Sequence, residues 1–222
     1  SSMIICSESI FHKISNFNSI KIPTFQLNDI PKNTNSFSSE SNEIAYLIYT
    51  SGTTSEPKGV AINHSIVEFA TKNIVDVLKY SNSDIDILPL PLHHSFGLGC
   101  LHVSLFVGST LILLKNSSDL QNILDTMKKY NATTLAAVPA TLSKFLKFNE
   151  NNLKDYFSDI RLVITNTTKI PIITIQKFKK IISNGNLATY YGLTEASRSS
   201  FMIFNEQTSF DQSVGKPAPQ VN

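Results

Sequence analysis

A chain of 222 residues with 41% hydrophobic residues has apolar material for one large domain or two small ones, and does not read as disordered. Lys+Arg 19 against Asp+Glu 17 gives a net charge of +2, too little for a general basic field toward nucleic acid or an anionic membrane. Cys6 and Cys100 lie far apart, which argues against a disulfide scaffold or zinc knuckle and for a reducing, cytoplasmic setting.

No apolar run nears the roughly 18 residues of a transmembrane segment, and Ser1-Ser2-Met3 lacks the basic and apolar regions of a signal peptide. Lysine dominates the cations. Arg161 and Arg198 are the two arginines, which reads with the abundant Asn and Ile as a coding bias.

In chain order, Pro31–Asn42 reads as a surface loop, and apolar Ile44–Thr50 as a buried strand running into a Gly/Ser/Thr turn. A short triplet, Val60 to Ile62, precedes Asn63, a helix cap for an amphipathic helix to Tyr80. Ile85–Leu90 is a predicted strand closed by Pro91, Phe96–Val107 a buried helix, and Thr110–Leu114 a strand. Ser118 is the expected cap of a helix reaching Tyr130, and Thr134–Val138 is a strand that Pro139 stops.

Ala140–Phe148 has helical periodicity, Asn149–Asn152 reads as a loop, and Ile160–Thr165, Ile172–Ile182 and Leu187–Tyr191 read as strand, helix and strand. This β-α alternation with fully apolar strands predicts an α/β fold, a mostly parallel sheet with helices on both faces.

The most informative segment is Tyr49-Thr50-Ser51-Gly52-Thr53-Thr54-Ser55-Glu56-Pro57-Lys58-Gly59. Hydroxyls, backbone N–H groups and a lysine directly after a strand can wrap an anionic ligand. Lys58 precedes Gly59 and follows a proline, so this is not a Walker A loop, whose lysine opens a helix. On composition alone it is equally a Ser/Thr-rich surface loop.

Tyr49–Gly59 closely resembles the phosphate-binding signature YTSGTTGxPKG of the adenylate-forming superfamily, which includes acyl-CoA synthetases, firefly luciferase and peptide-synthetase adenylation domains. Three further segments match in the family's order. Pro91-Leu92-His93-His94-Ser95-Phe96-Gly97 resembles its acyl-pocket segment, Tyr190-Tyr191-Gly192-Leu193-Thr194-Glu195 its YGxTE segment, and Val214-Gly215-Lys216-Pro217-Ala218-Pro219 its VGxPxP turn.

The resemblance implies attack of a carboxylate on the α-phosphate of ATP, release of pyrophosphate, and transfer of the acyl group to CoA or a phosphopantetheine carrier protein. Such a displacement needs charge neutralisation and positioning more than a protein nucleophile. By resemblance, Thr50, Ser51, Gly52, Thr53, Thr54 and Lys58 would hold the β- and γ-phosphates, and Thr194 the α-phosphate. Glu195 with Thr54 would bind Mg²⁺, a cation that prefers oxygen ligands. Tyr191, beside Gly192, would stack on adenine, with Thr167 and Thr168 as further adenine-pocket candidates. His94 would border the acyl pocket, and a metal site on His93, His94 and His102 is disfavoured because no acidic residue is near them in sequence.

Pro91–Gly97 has no aspartate to pair with a substrate ammonium, and an unpaired ammonium in an apolar pocket is costly. The implied substrate is therefore a fatty or aryl carboxylic acid without an α-amine, with Phe96, Leu98 and Gly99 consistent with such a group. Ser55 stands where the signature has its third glycine, and Asn166 and Thr167 stand where the family has a Gly-Gly turn. A β-branched residue adopts left-handed backbone poorly, so that turn is expected to differ and the pocket to be altered.

Residues 1–222 would be part of the large N-terminal AMP-binding domain, without the small C-terminal domain that carries the catalytic lysine; alone the fragment is expected to be inactive. Two alternatives stand beside this reading: an amino-acid-activating adenylation domain, and a non-catalytic nucleotide- or acyl-binding or interaction protein with a degenerate site.

Overall fold

In a computed structural model of the chain, the described residues are 4–6, 24–26, 42–50, 57–115, 117–182, 184–204 and 213–221. Strands β1 (Ile4–Cys6) and β2 (Thr24–Gln26) form a parallel pair. Strands β3 (Ile44–Thr50) and β4 (Lys58–Asn63) form an antiparallel hairpin in which Thr50 opposes Lys58. The apolar triplet at Val60 is thus strand. The expected burial of Ile44–Thr50 holds on one side only, since Ile44, Leu47 and Tyr49 are exposed. Of the polar stretch at Pro31, only Asn42 lies among the described residues.

Helix α1 (His64–Leu78) starts where the Asn63 side chain accepts from the Ile66 amide, and ends at Lys79 in left-handed backbone. Strand β5 (Ile85–Leu88), α2 (Ser95–Val107), β6 (Thr110–Leu113), α3 (Leu120–Tyr130), β7 (Thr134–Ala136), α4 (Pro139–Phe145), α5 (Glu150–Tyr156), β8 (Leu162–Thr165), α6 (Ile172–Ile181), β9 (Asn186–Tyr191), β10 (Ser200–Ile203) and β11 (Lys216–Pro217) follow. Three local expectations change. Asp119, not Ser118, caps α3 through its carboxylate on the Asn122 amide. Asn149 caps a real helix, α5, by accepting from the Asn151 and Asn152 amides, so Asn149–Asn152 is a helix start rather than a loop. Helix α4 stops at Phe145, short of the expected Phe148.

The main sheet has seven strands in the order β11-β10-β9-β8-β7-β5-β6. The run from β9 to β6 is parallel; β10 and β11 add antiparallel. Successive strand residues face opposite layers. Ile87, Leu135, Val163 and Leu187 pack with α3, α4, α5 and α6, through Ile123, Phe145, Leu153 and Phe178. Leu88, Ala136, Ile164 and Ala188 pack with α1 and α2, through Ile74, Leu78, Phe96 and Val103.

The α/β arrangement with helices on both faces is therefore present. The chain leaves β5 along the α1/α2 layer to reach edge strand β6, then returns past β5 to β7 along the other layer. This reversal opens a crevice at the carboxyl ends of β5 and β7, where open α/β sheets place their ligands.

The opposite edge of the sheet is closed by polar groups. Arg161 grips Asp84 with two hydrogen bonds, Nε to Oδ1 at 2.7 Å and Nη2 to Oδ2 at 2.5 Å. The Thr133 hydroxyl and Ser81 amide also donate to Asp84. Asp86, on β5 just beyond Asp84, accepts from the hydroxyls of Thr134 and Ser109.

Candidate active site

Three loops leave the carboxyl ends of parallel strands on the same edge: residues 89–94 after β5, 166–171 after β8 and 192–199 after β9. With the last residue of β9, Tyr191, they carry His93, His94, Thr167, Thr168, Thr194 and Glu195. The β3–β4 hairpin approaches by its inward residues Tyr46 and Ile48 on β3 and Ile62 on β4. These line a cleft together with Ser95, Gly99, His102, Thr194, Glu195, Ser197 and Arg198.

The turn after β9 explains how Thr194 and Glu195 are presented. The Leu193 amide donates to the Ala196 carbonyl at 3.1 Å, and the Ala196 amide donates back at 3.3 Å. The pair closes a tight loop with Thr194 and Glu195 at its tip. Gly192 is required beneath it, because a Cβ there would overlap the backbone of Ala196 and Arg198. Glu195 is exposed and has no side-chain partner among the described residues, so its carboxylate oxygens are available to a hard cation. Tyr191, at the end of β9, is half exposed and offers a ring face for stacking.

Thr50 and Lys58 stand opposite each other at the mouth of the hairpin. Ser51, Gly52, Thr53 and Thr54 lie between them, outside the described residues. His94 precedes α2 in extended backbone, exposed, its ring centroid 4.2 Å from that of His93. His102 sits further along α2 against Tyr46, with ring centroids 5.7 Å apart.

In the turn after β8, Thr167 adopts φ 92, the backbone region that favours glycine. The expectation that the turn would differ because Thr replaces Gly is not met at this residue: it adopts a glycine-like φ and is strained. Left-handed backbone costs a β-branched residue about 1–2 kcal/mol. Thr167→Gly is accordingly expected to leave the protein as stable or up to about 1 kcal/mol more stable, once glycine's unfolded-state entropy is set against the relieved strain. Urea unfolding checks this; a clear loss of stability would show that the Thr167 side chain makes a compensating interaction.

Sequence reasoning missed the cation of the cleft. Arg198 is 5% exposed, and its guanidinium lies 4.7 Å over the ring of Tyr190. It donates to the Ser197 hydroxyl at 2.6 Å and, at a long 3.4 Å, to the carbonyls of Ser95 and Phe96. A Cβ at Gly99 would overlap the guanidinium where it now lies. Phe96 is buried edge-on against Tyr190, with ring centroids 5.4 Å apart.

Burial, followed by the Arg198 charge, holds the His102 imidazole below its ordinary pKa. Burial pushes the Cys100 thiol and the Tyr190 phenol up to about 12, with Arg198 opposing the rise in both.

The AMP-binding enzyme family model matches residues 11–222. The chain belongs to the AMP-binding enzyme family. Among curated members, human mitochondrial malonate–CoA ligase ACSF3 is 28% identical over 197 residues, covering 81% of this chain and 33% of that protein. The oxalate–CoA ligase of Arabidopsis thaliana is 31% identical over 180 residues, covering 79% and 35%. The chain thus spans about a third of the length of the curated relatives it matches.

Among solved structures, apo MatB from Rhodopseudomonas palustris superposes with a TM-score of 0.83 at 22% identity, over 98% of this chain and 45% of that one. The N-terminal domain of FACL13 from Mycobacterium tuberculosis gives 0.81 at 21%, over 99% and 57%. These likenesses establish the AMP-binding fold. Among the described residues no helix is long and apolar enough to cross a membrane.

Proposed function

We propose that the full-length protein is an ATP-dependent carboxylic acid ligase, and that this chain supplies part of its large AMP-binding domain. The observation that carries the reading is the convergence of Thr194, Glu195 and Ser95 on one cleft at the carboxyl edge of the sheet, roofed by the hairpin that bears Thr50 and Lys58. Membership of a family whose curated relatives are named CoA ligases supports it.

In the proposed reaction a carboxylate oxygen of the substrate forms a bond to the α-phosphorus of ATP. The bond from that phosphorus to the bridging oxygen of the β-phosphate breaks, and pyrophosphate leaves with the electron pair. The thiol of CoA, or of a phosphopantetheine carrier, then adds to the acyl carbonyl and AMP departs. The chain's part is positioning and charge neutralisation. Thr50, Lys58 and the loop residues 51–54 hold the β- and γ-phosphates, Thr194 the α-phosphate, and Tyr191 the adenine beside Thr167 and Thr168. The exposed, unpartnered Glu195 carboxylate suits Mg²⁺, which with Thr54 it would hold; the ion supplies charge neutralisation at the phosphates. His94 borders the acid. A cytoplasmic site of action fits a half-buried Cys100 that is a free thiol.

Against an amino-acid-activating domain stands the lack of an acidic residue in Pro91–Gly97 to pair with a substrate ammonium. The test is pyrophosphate exchange by the full-length protein against simple acids and against amino acids. Exchange with simple acids is the expected result, and exchange confined to amino acids would overturn the assignment.

A further inference from the structure

We propose that the outer face of α4, α5 and α6 is a docking surface for an anionic lipid bilayer. This does not depend on the ligase reading. It follows from how charge and apolar residues are distributed over three neighbouring helices.

The small net charge of the chain conceals a segregation. Residues 139–182 carry seven lysines and Arg161 against Glu150, Asp155 and Asp159, a net of +5, which leaves the rest of the chain at −3. Arg161 is neutralised by Asp84, and Asp155 by Lys128, so the excess is borne by lysines.

The fold gathers five of them. The hydroxyls of Ser143 in α4 and Thr174 in α6 lie 3.3 Å apart, which sets the end of α4, with Lys144 and Lys147, alongside α6. Glu150, the first residue of α5, is the acid among them. Lys154 pairs with it at 2.9 Å; that bond, and then the charges of Lys180 and Lys177, hold its carboxyl below the ordinary range. Lys144, Lys147, Lys177 and Lys180 are exposed and form no ion pair among the described residues. Charges beyond the Debye length of about 8 Å are screened, so the acidic remainder of the chain does not cancel this field at a surface in contact with it.

The same face carries an apolar element. Ile172 and Ile173, 47% and 58% exposed, open α6. Ile173, Lys177 and Lys180 follow one another along one stripe of the helix, while Ile175, Phe178 and Ile181 face the core. Aliphatic side chains that enter the acyl boundary, beside lysines that meet the headgroups, supply the two signals that stable attachment to a bilayer needs.

A protein or nucleic-acid partner calls for other chemistry. Protein interfaces are enriched in arginine and aromatic residues and depleted in lysine. Arg161 grips Asp84 and Arg198 lies over Tyr190, so this face uses neither arginine. A fluid lipid surface demands charge density without a fixed geometry, which lysine supplies.

The test is co-sedimentation of the full-length protein with vesicles of phosphatidylcholine alone, and with about 30% phosphatidylserine. Wild type is expected to bind the anionic vesicles at least about 10-fold more tightly, with affinity falling as salt is raised. Lys147→Gln, Lys177→Gln and Lys180→Gln together should lower that binding by about 100-fold, or about five-fold for each lysine. Their circular dichroism should match wild type, because all three are exposed. Ile173→Ser should weaken binding as well, and Lys79→Gln, at the end of α1 in the other layer, should bind as wild type does.

Equal binding of wild type to the two kinds of vesicle overturns the proposal, as does wild-type binding by the triple variant or an equal loss in Lys79→Gln. Retention on poly-glutamate or on a single-stranded oligonucleotide, without binding to anionic vesicles, also overturns it and marks the face as a protein or nucleic-acid surface. Should the triple variant not fold, the single Lys177→Gln and the salt dependence of wild type decide between the same outcomes. Vesicle binding is read without turnover, so a failure of the ligase reading leaves every one of these outcomes in force.

Discussion

Glu195→Gln in the full-length protein is expected to lower acid-dependent pyrophosphate exchange by about 10²–10³-fold, the usual effect of removing one preorganised charge-stabilising group. The carboxylate sits exposed at the tip of a turn closed by the Leu193–Ala196 hydrogen bonds, without a side-chain partner among the described residues. Its replacement by an isosteric amide therefore removes charge and leaves the turn intact. Circular dichroism and urea unfolding should match wild type. Lys58→Ala should behave likewise, because Lys58 is an exposed residue at the mouth of the hairpin, opposite Thr50. Wild-type exchange rates in both variants would refute the magnesium and phosphate assignments together.

The largest stability effect is expected far from this edge. Asp84→Ala should destabilise the chain by about 3–5 kcal/mol, because it strands the Arg161 guanidinium and removes the acceptor for the Thr133 hydroxyl and Ser81 amide. The lower part of that range applies, since the Arg161 side chain is about a third exposed and water can recover part of the loss.

The pH dependence has a definite sign. Burial pushes the Asp84 carboxyl up, but hydrogen bonds from Arg161, Ser81 and Thr133 outweigh it and hold the group below the ordinary value. Its stabilisation is complete above the ordinary carboxylate range, near about pH 4, and fades as pH falls through the lower folded-state value. Asp86 acts oppositely. Burial dominates the Thr134 and Ser109 hydrogen bonds and raises its pKa, so the folded state holds that proton more tightly and gains relative stability as pH falls through the raised value. Asp84→Ala should therefore remove part of the acid-side loss of stability seen in wild-type urea melts. A loss under about 1 kcal/mol at neutral pH would show that the ion pair is not holding the strand ends together.

The elements with long apolar periodicity were legible. Helices α1, α3 and α6 and strands β5, β7, β8 and β9 carry alternations that the two core layers read directly. What escaped was set by neighbours rather than by local pattern. Helix α5 opens on Glu150-Asn151-Asn152, polar enough to pass for a loop until the Asn149 side chain is seen capping it. Strand β10 is four residues long and exists through antiparallel pairing with β9. The site divides the same way. Thr194, Glu195, Thr50 and Lys58 stand in contiguous motifs, while Arg198 lies against Gly99, a residue distant in sequence that reads as mere helix packing. One signal was available. In a chain where lysine is the default cation, both arginines occupy places where a planar fork is needed, one on Asp84 and one over Tyr190.

Among the described residues the β3–β4 hairpin shares no hydrogen-bonded ladder with the seven-stranded sheet. It runs directly into α1, whose first amide, His64, donates to the Glu43 carbonyl at 3.1 Å, and the Tyr46 ring lies 5.7 Å from that of His102 on α2. Its ladder amides are therefore expected to exchange with solvent by an opening that leaves the sheet's own ladders closed. Nucleotide would register first as hydrogen-exchange protection in the hairpin, while the amides of the central strands would keep the rates set by global unfolding.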